Sequence, residues 1–462
     1  MPPVRASKLL PPDLEQALRD EPEALAETLL TLHIEDLAEL VAELRPTLVV
    51  QLMQVLPLEL AADLLSRMPE QVSRPTLESL SPQRAANVLT EVEPDDRADL
   101  VQELPDEARE QILDRMELRQ PGLADELRTL SAYAPNTAGG IMTPSFVALG
   151  AGLNVGQATE EVRRLVREQH QELIYYVYVV AYDKLVGVIS LRDLILSEND
   201  RPISEVMTTN IVHVAPSLDQ EEVAKMMAKY DLLAIPVVDA DRHMLGVVTN
   251  DDVVDVMVEE ATEDAQKMAA VVPTAEAYFQ NSFVAVVRSR VTWLVALFLG
   301  ELLTANVMHH YETQMANVID LVLFIPLIIS SGGNSGSQSS SLVIRALALG
   351  EMFPADWRRV VSRELLVGLA LGAVLGVLGF LRALAGTMLG WNTAAPWSLA
   401  FAVAFSVLAV VVLGTMIGSV MPLVIRRMGI DPALASTPFV ASLVDVLGLV
   451  VYFTVARIVL AL

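Results

Sequence analysis

The spacing of apolar residues predicts a helical repeat in the first third of the chain. From Leu56 a period of about twelve residues recurs, and each unit places an apolar residue beside a proline and then a short amphipathic stretch. Proline is tolerated in the first turn of a helix, so each proline predicts a new helix start. Short helices stacked in this way form a superhelix, which we assign to residues 1–131. The prolines are Pro57, Pro69, Pro82, Pro94 and Pro105.

A second, longer repeat predicts an α/β region over residues 132–255. Each unit reads strand, helix, strand, strand, helix, and we divide the units at 132–199 and 200–255. A strongly acidic stretch follows and predicts a linker helix over residues 256–284. The landmarks that recur are Met142-Thr143 as Met207-Thr208, Gly187 as Gly246, and Asp193 as Asp252.

Long apolar runs predict a membrane region of five helices over residues 285–462. A span needs about 20 apolar residues. Arginines flank the first run on its N-terminal side, lie between the second and third, and follow the fourth, whereas the opposite loops lack Lys and Arg. Positive residues mark the cytosolic side, so we expect the acidic half inside and the C-terminus outside. The five runs lie roughly at 291–309, 317–346, 363–387, 397–425 and 434–460.

Charge divides the chain as sharply as hydrophobicity does. Residues 1–283 carry 50 of the 58 Asp and Glu but only 22 of the 32 Lys and Arg. A field of this sign repels phosphate, which excludes nucleic acid as a partner, and it attracts cations. The absence of cysteine excludes disulfides and thiolate metal sites. The first residues lack an apolar signal-peptide core, so we expect the acidic half in the cytosol.

Three features of the membrane region stand out. Asp445 has apolar residues for a turn or more on both sides, and a carboxylate there needs water, a partner or an ion. Glu301 and Asp320 lie nearer the ends of their runs, and we give them less weight. The glycines at four-residue spacing in runs three and four predict close helix packing. The segment 330–341 consists largely of Gly and Ser, with one Asn and one Gln.

Acidic residues also crowd the linker helix. At helical spacing Asp252, Asp255 and Glu259 share one face, and Glu260, Glu263 and Asp264 form a neighbouring group. A solvated helix face is one interpretation of such a run. Grouped carboxylates are also the hard oxygen ligands that suit Mg²⁺ or Ca²⁺.

The α/β repeat resembles the tandem CBS module. The pattern I-M-T-P followed by G-hydrophobic-hydrophobic-S/T-x-x-D carries the resemblance. In such pairs the Ser/Thr and Asp of the ending often bind the ribose of an adenosine nucleotide such as ATP. Arg192 and Asp193 match that ending, as do Asp251 and Asp252.

The whole chain resembles the MgtE family of magnesium channels. The most specific motifs are PLIISSGGNSGSQSSSLVIRAL and GIDPALASTPFVASLVDVLGLVVY. The family usually has Gly-Thr where this chain has Ser330-Ser331. The resemblance implies a homodimer in the inner membrane, embedded in lipid, with the pore between subunits and Asp445 as the pore carboxylate. Asn334 and Gln338 either hold pore water or brace a neighbouring helix.

The resemblance also implies a feedback gate in which cytosolic Mg²⁺ draws the acidic domains together. The matching acids on the linker helix are Asp252, Asp255, Glu260, Glu263 and Asp264; those in the second CBS unit are Asp219, Glu221 and Asp231; those in the helical domain are Asp95, Asp96 and Asp99.

The sequence bears on three other functions. A broader divalent-cation channel or transporter, conducting Mn²⁺, Co²⁺ or Ca²⁺ under CBS or nucleotide control, stays open because sequence does not fix selectivity. An intramembrane metalloprotease is set aside because the six histidines never form HExxH. A chloride channel with CBS domains is set aside because of the five runs and the intramembrane acid.

Overall fold

The computed structural model describes residue 29 and residues 32–42, 44–102, 104–169, 175–274, 281–312, 319–388 and 395–460. The N-terminal segment and parts of the loops predicted at 310–316 and 388–396 lie outside the described residues. The chain forms two compact units, residues 1–257 and residues 258–462, and each is described by itself.

The first unit begins with a superhelix of short helices. Each of the five predicted prolines stands at the N-cap or first residue of a helix, which confirms the repeat. A helix packs chiefly on the next but one along the chain, so the stack grows without long-range connections. The helices are α1 (Ile34–Ala42), α2 (Pro46–Val55), α3 (Leu58–Ser66), α4 (Glu70–Ser79), α5 (Pro82–Glu91), α6 (Pro94–Gln102), α7 (Asp106–Arg119) and α8 (Leu123–Leu130).

Two arginines fasten the superhelix from within. Short helices leave many C-terminal carbonyls without a partner. The Arg84 guanidinium donates to the carbonyl of Met53 near the end of α2, and the buried Arg97 donates to the carbonyl of Val92 after α5. The stack therefore uses side chains to satisfy backbone groups that an isolated helix would expose.

The α/β region contains two small sheets. The first repeat has β1 (Val147–Gly150), α9 (Val155–Gln169), β2 (Tyr176–Ala181), β3 (Lys184–Ser190) and α10 (Leu191–Leu196), in the predicted order. A short helix α11 (Ile203–Val206) precedes the second repeat, which has α12 (Gln220–Tyr230), β4 (Ala234–Val238) and β5 (Met244–Thr249). The strand predicted before α12 is reduced to a single bridge between Val214 and Val237.

The two repeats exchange backbone hydrogen bonds. Thr143 of the first bridges Val247 on β5, and Thr208 of the second bridges Val188 on β3. The two repeats therefore form a single interlocked body.

Helix α13 (Asn250–Met268) runs directly from β5. It begins inside the range that the sequence gives to the second repeat, and its last turns belong to the second unit. The predicted boundary at 255/256 falls within this continuous helix.

The second unit is a bundle of helices. Within the part of the chain that the structure describes, four stretches are long and apolar enough to cross a membrane: Phe283–His310, Pro354–Gly386, Pro396–Arg427 and Thr437–Leu460. The second predicted run, at 317–346, forms a helix of 24 residues whose Gly, Ser, Asn and Gln content keeps it outside that group, so the predicted count of five is not confirmed. The helices are α14 (Phe283–His310), α15 (Ile325–Ala348), α16 (Trp357–Met388), α17 (Pro396–Arg427) and α18 (Thr437–Leu460), with short 3₁₀ turns at Ile319–Phe324, Pro354–Asp356 and Pro432–Leu434.

Glycine faces bring α15, α16 and α17 into close contact. A Cβ added at Gly414 or Gly418 of α17 would overlap the carbonyl oxygen of Gly332 or Gly336 on α15. Across the other side of α17, a Cβ at Gly372 would lie 3.0 Å from the Cα of Leu408. The predicted packing role of the glycines is confirmed, since only residues without a side chain allow this approach.

Candidate functional site

Five carboxylates of the first unit form an acidic cluster: Asp95, Asp96 and Asp99 on α6, and Asp252 and Asp255 on the first turns of α13. Superhelix and CBS region thus meet at carboxylates. Oδ1 of Asp95 is buried and has no hydrogen-bond partner among the described residues. An unsatisfied buried oxygen is costly, so the cluster is a place where a cation would be stabilised.

The pKa values of Asp95 and Asp252 are raised in the acidic cluster, in part because the carboxylates repel one another. Burial first, and then the nearby charges of Asp252 and Asp96, raise the pKa of Asp95 well above its usual range. Burial also raises the pKa of Asp252 from 3.8 to about 6, with Asp251 and Asp96 adding to the effect. The hydroxyl of Thr249 donates to Oδ2 of Asp252 at 2.7 Å and favours the ionised form. A bound divalent cation would neutralise this repulsion.

Asp96, Asp99 and Asp255 lie on the solvent-facing margin of the cluster. Burial against the surrounding protein and the charge of Asp96 raise the pKa of Asp99 to about 6, although part of its side chain stays exposed. For Asp96, burial raises the pKa while the Ser66 hydroxyl and Arg67 oppose the rise.

The structure gives local roles to the predicted acids of the second CBS unit. Asp219 caps α12 by accepting the N–H of Glu221 at 3.0 Å, and Glu221 pairs with Lys225 at 2.8 Å. Asp231 ends α12 in a left-handed conformation. These contacts explain the residue types without an ion.

The predicted acids on the later turns of α13 also have partners. Glu260 and Asp264 each interact with other groups in the structure. Glu263 accepts from the ammonium of Lys267 at 2.6 Å. Glu263 is therefore already engaged by a cation of the chain itself.

The two CBS repeats end in matching hydroxyl–carboxylate pairs. The Ser190 hydroxyl donates to Oδ2 of Asp193 at 2.7 Å, as Thr249 does to Asp252. Arg192 and Asp193 are exposed. The predicted ribose-binding ending thus has the same local geometry in both repeats.

In the membrane unit, Asp445 is half-buried on α18 and faces α15. A Cβ at Gly333 would lie 3.9 Å from Oδ1 of Asp445, so the glycine keeps the space beside the carboxylate open. The side chain of Glu301 on α14 lies near Asp445, and the two acids interact electrostatically. In the sequence Glu301 is inconspicuous because it lies near the end of its run, and only the packing of α14 on α18 brings the two acids together.

The segment 330–341 is helical and its faces differ. Gly332 and Gly336 pack on α17, and Ser340 donates to the carbonyl of Ala435 at 2.9 Å. Asn334 and Gln338 lie on the exposed face, where Asn334 contacts Ser330 one turn earlier at 3.4 Å. Among the described residues the two amides bond to no other helix, so the bracing alternative finds no support within one chain.

Other groups were missed by sequence reasoning. Ser339 of α15 donates to Oε2 of Glu364 on α16 at 2.8 Å. The pattern of apolar and polar residues does not predict this contact between two helices. Asp239, Asp241 and His243 converge at the β4–β5 turn. Their D-x-D-x-H spacing was the available signal, but Asp239 already accepts the N–H groups of Asp241 and His243 at 2.8 Å each. That group is a turn cap.

Comparison with known proteins agrees with this layout. A family model described as a divalent cation transporter matches residues 325–455, one described as the MgtE intracellular N domain matches residues 32–136, and the CBS domain matches residues 138–198 and 203–259. The curated magnesium transporter MgtE of Thermus thermophilus is 40% identical over 74% of this chain and 74% of its own length. That of Enterococcus faecalis is 36% identical over 72% of this chain and 71% of its own.

A solved structure of the cytosolic domain of the Mg²⁺ channel MgtE in complex with ATP is 37% identical, covers 53% of this chain and 98% of its own, and has a TM-score of 0.49. The order of domains, the glycine-packed membrane helices and the extent of identity to the curated transporters lead to one conclusion: the chain belongs to the MgtE family of magnesium transporters.

Proposed function

We propose that this protein is a Mg²⁺-selective channel that imports magnesium and is closed by cytosolic Mg²⁺. The observation that carries the proposal is Asp445, a half-buried carboxylate in the middle of an apolar helix, beside space that Gly333 leaves open. An intramembrane acid is costly unless it serves an ion or a partner. Two copies facing one another in a homodimer would place two carboxylates around one hydrated ion.

The exposed amides of α15 fit the same arrangement. Asn334 and Gln338 lie on the face that α17 leaves uncovered. Amide groups bind water well, and Mg²⁺ keeps several waters when it is bound. In the proposed dimer this face of α15 lines the pore, and the two amides contact the ion through its waters.

The acidic cluster supports the gate. Without Mg²⁺ its carboxylates repel one another, and burial together with this repulsion raises the pKa values of Asp95 and Asp252. Bound Mg²⁺ removes the repulsion and favours the arrangement in which α6 and the start of α13 lie together. A ligand that binds one state more tightly shifts the population toward that state. In the proposed gate, Glu260, Glu263 and Asp264 continue the Mg²⁺ response along α13, and Asp219, Glu221 and Asp231 add to it from α12.

Orientation and nucleotide binding complete the proposal. The arginine pattern supports the acidic unit in the cytosol and the C-terminus outside. The pair of Ser190 and Asp193 supports an adenosine nucleotide, such as ATP, bound by its ribose at the CBS pair, with Arg192 near its phosphates.

Flux in proteoliposomes tests the pore. D445N is expected to reduce Mg²⁺ flux by more than about 100-fold, because the pore loses its charge. The matched control D320N removes another carboxylate of the membrane unit and is expected to keep wild-type flux. Equal flux in D445N and wild type would contradict the pore assignment.

The second candidate function is a broader divalent-cation channel, which is favoured by the description of the matching family as divalent cation transporters. Flux in the same vesicles distinguishes it from a Mg²⁺-selective channel. Fluxes of Mn²⁺, Co²⁺ and Ca²⁺ comparable to that of Mg²⁺ would support it. A strong preference for Mg²⁺ would exclude it.

A further inference from the structure

Three helix ends of the second unit meet at one place and carry exposed arginines. The last turns of α15 and α17 pack against the first turns of α16 through the buried side chains of Val343, Leu347, Val360 and Leu423. Each of these core residues lies within about one helical turn of an exposed arginine. We call this surface the arginine patch, and it consists of Arg345, Arg358, Arg359, Arg363, Arg426 and Arg427.

The ends of α15 and α17 are capped by backbone alone. Each helix is followed by a glycine in the left-handed region, Gly350 with a φ of 67° and Gly429 with a φ of 77°. The N–H of the next residue, Glu351 or Ile430, donates to a carbonyl of the last turn at 3.0 or 3.2 Å. This is the usual glycine-based helix end, and it satisfies carbonyls that an arginine side chain could otherwise serve. The arginines of these two ends are therefore not needed as caps.

Helix electrostatics do not explain the arginines of α16. A cation near the C-terminus of a helix is favourable, which suits the arginines of α15 and α17. Arg358 and Arg359 lie instead in the first turn of α16, where a cation opposes the helix dipole. The first turn of α16 contains no acidic residue to offset them. Their charge therefore serves a group outside the helix.

The acids of the second unit do not neutralise the patch. Within the described ranges of this unit, none of the six arginine side chains pairs with a carboxylate. Asp356 accepts the N–H of Phe353 at 3.1 Å, and Glu364 accepts the hydroxyl of Ser339 at 2.8 Å. Six arginines outnumber the acids that are near them in sequence, which are Glu351, Asp356, Glu364 and Asp431.

Large apolar side chains lie exposed beside the arginines. Trp357 is 47% exposed, and the Arg358 guanidinium lies 5.3 Å from the centroid of its ring. Leu349, Phe353 and Met428 are each more than half exposed. Tryptophan is enriched at the headgroup level of a bilayer, because its ring is apolar and its N–H is polar. Cations next to exposed apolar groups fit an amphiphile better than they fit a free phosphate ion.

We propose that the arginine patch binds the headgroup of an anionic phospholipid. Guanidinium groups from three helices surround the phosphate, which they match by paired hydrogen bonds, and the apolar side chains contact the acyl chains. Basic surfaces between membrane helices recognise lipid headgroups in this way. The bound lipid joins α15, with the amides of Asn334 and Gln338, to α16 and α17. The proposal requires only that the second unit lies in a membrane, so it stands or falls separately from the proposed ion and gate.

Thermal unfolding of the full chain in a neutral detergent, with added phosphatidylglycerol or phosphatidylcholine, tests the site. Phosphatidylglycerol is expected to raise the midpoint of the wild type by about 5 °C more than phosphatidylcholine does, because a ligand of the folded state stabilises it. In R358Q/R359Q this difference between the two lipids is expected to fall by more than half. R426Q/R427Q changes a different helix and is expected to lose a similar share.

The matched control is R288Q/R290Q, which removes two exposed arginines near the start of α14, outside the patch. It is expected to keep the wild-type difference. An equal loss in R288Q/R290Q and R358Q/R359Q would show a general effect of positive charge and would overturn the site. No difference between the two lipids in the wild type would also overturn it and would leave the patch to another partner, such as the acidic unit.

Inorganic phosphate separates a lipid site from a simple anion site. At the concentration of the added lipid it is expected to leave the midpoint of the wild type unchanged, and a shift as large as that from phosphatidylglycerol would overturn the assignment to lipid. Native mass spectrometry gives a readout that does not depend on stability. The wild type and R288Q/R290Q are expected to retain bound phosphatidylglycerol, whereas R358Q/R359Q is expected to lose it, and equal retention in all three would overturn the site.

Discussion

The two CBS repeats end in the same local structure and have different surroundings. In the first, Ser190 bonds to Asp193, which stays exposed at the start of a six-residue helix. In the second, Thr249 bonds to Asp252, which opens the 19-residue helix α13 and lies against the acids of α6. The motif explains the helix cap in both repeats. The burial and the charged neighbours of the second repeat raise the pKa of its carboxylate.

The same motif therefore need not have the same function in both repeats. The hydroxyl–carboxylate bond is fixed by residues three apart in sequence and needs no tertiary structure. The raised pKa of Asp252 comes first from burial and then from the charges of Asp251 and Asp96, of which Asp96 is more than 150 residues away in sequence. Of the two repeats, the second is therefore the one that contributes to the proposed Mg²⁺ sensor.

The largest expected effect tests that asymmetry directly. D252N removes a central ligand of the acidic cluster, so the half-inhibiting Mg²⁺ concentration is expected to rise about tenfold, as for loss of one charged ligand bond. D193N, the equivalent change in the first repeat, is expected to leave it unchanged. Flux in proteoliposomes with varied Mg²⁺ gives both values, and similar shifts in the two variants would break the comparison.

A second difference lies in the glycines that face the opposite repeat. A Cβ at Gly246 would lie 2.7 Å from the carbonyl oxygen of Thr143, whereas the nearest atoms to a Cβ at Gly187 all belong to the Met207 side chain. Backbone yields less readily than a flexible thioether, so G246A is expected to destabilise by about 2–3 kcal/mol and G187A by about 1 kcal/mol.

Thermal unfolding of the full chain in detergent measures that order. Gly150 has no atom within 4 Å of the added Cβ, so G150A serves as the control and is expected to leave the midpoint almost unchanged. A larger fall in the thermal midpoint for G187A than for G246A would contradict the expected difference between the two contacts.

The pH dependence gives a smaller effect. The pKa of Asp252 rises from 3.8 to about 6 on folding, so between these values the folded protein binds more protons than the unfolded chain. Without metal, stability from this group is therefore present at low pH and is lost as pH rises through about 6. The thermal midpoint in EDTA is expected to be higher at pH 5.5 than at pH 7.5, relative to D252N under the same conditions.

Saturating Mg²⁺ reverses the sign, because the ion binds the ionised carboxylate and protons compete with it. The midpoint in Mg²⁺ is then expected to be higher at pH 7.5. If the thermal midpoints of wild type and D252N in EDTA change with pH in the same way, the raised pKa assigned to Asp252 is contradicted.

The smallest expected effect concerns the first repeat. If an adenosine nucleotide binds by its ribose at Ser190 and Asp193, D193N weakens binding about fivefold, the net value of one ordinary hydrogen bond. Calorimetric titration of the full chain with ATP measures this. The control R242Q changes a residue of the β4–β5 turn and is expected to bind as wild type; equal affinity in D193N would remove the first repeat from the nucleotide site.

Much of the architecture follows from sequence because it depends on local rules. Prolines such as Pro57 and Pro69 set helix starts through their fixed backbone angle, and apolar runs set the long helices through length alone. The reduction of the strand around Val214 to one bridge was not predictable in the same way, since strand length depends on partners elsewhere in the chain.

The candidate site divides along the same line. By itself the sequence determined the domain order, the intramembrane Asp445, the acidic character of α13 and the small residues of the segment 330–341, because each is a property of neighbouring residues. Tertiary structure alone decided that Gly332 and Gly336 meet the glycines of α17, that Glu301 lies beside Asp445, and that Lys267 engages Glu263. Some of these contacts join residues that are far apart in sequence, and others involve a residue with several possible partners. In both cases the packing, burial and charges of the folded chain determine which contact forms.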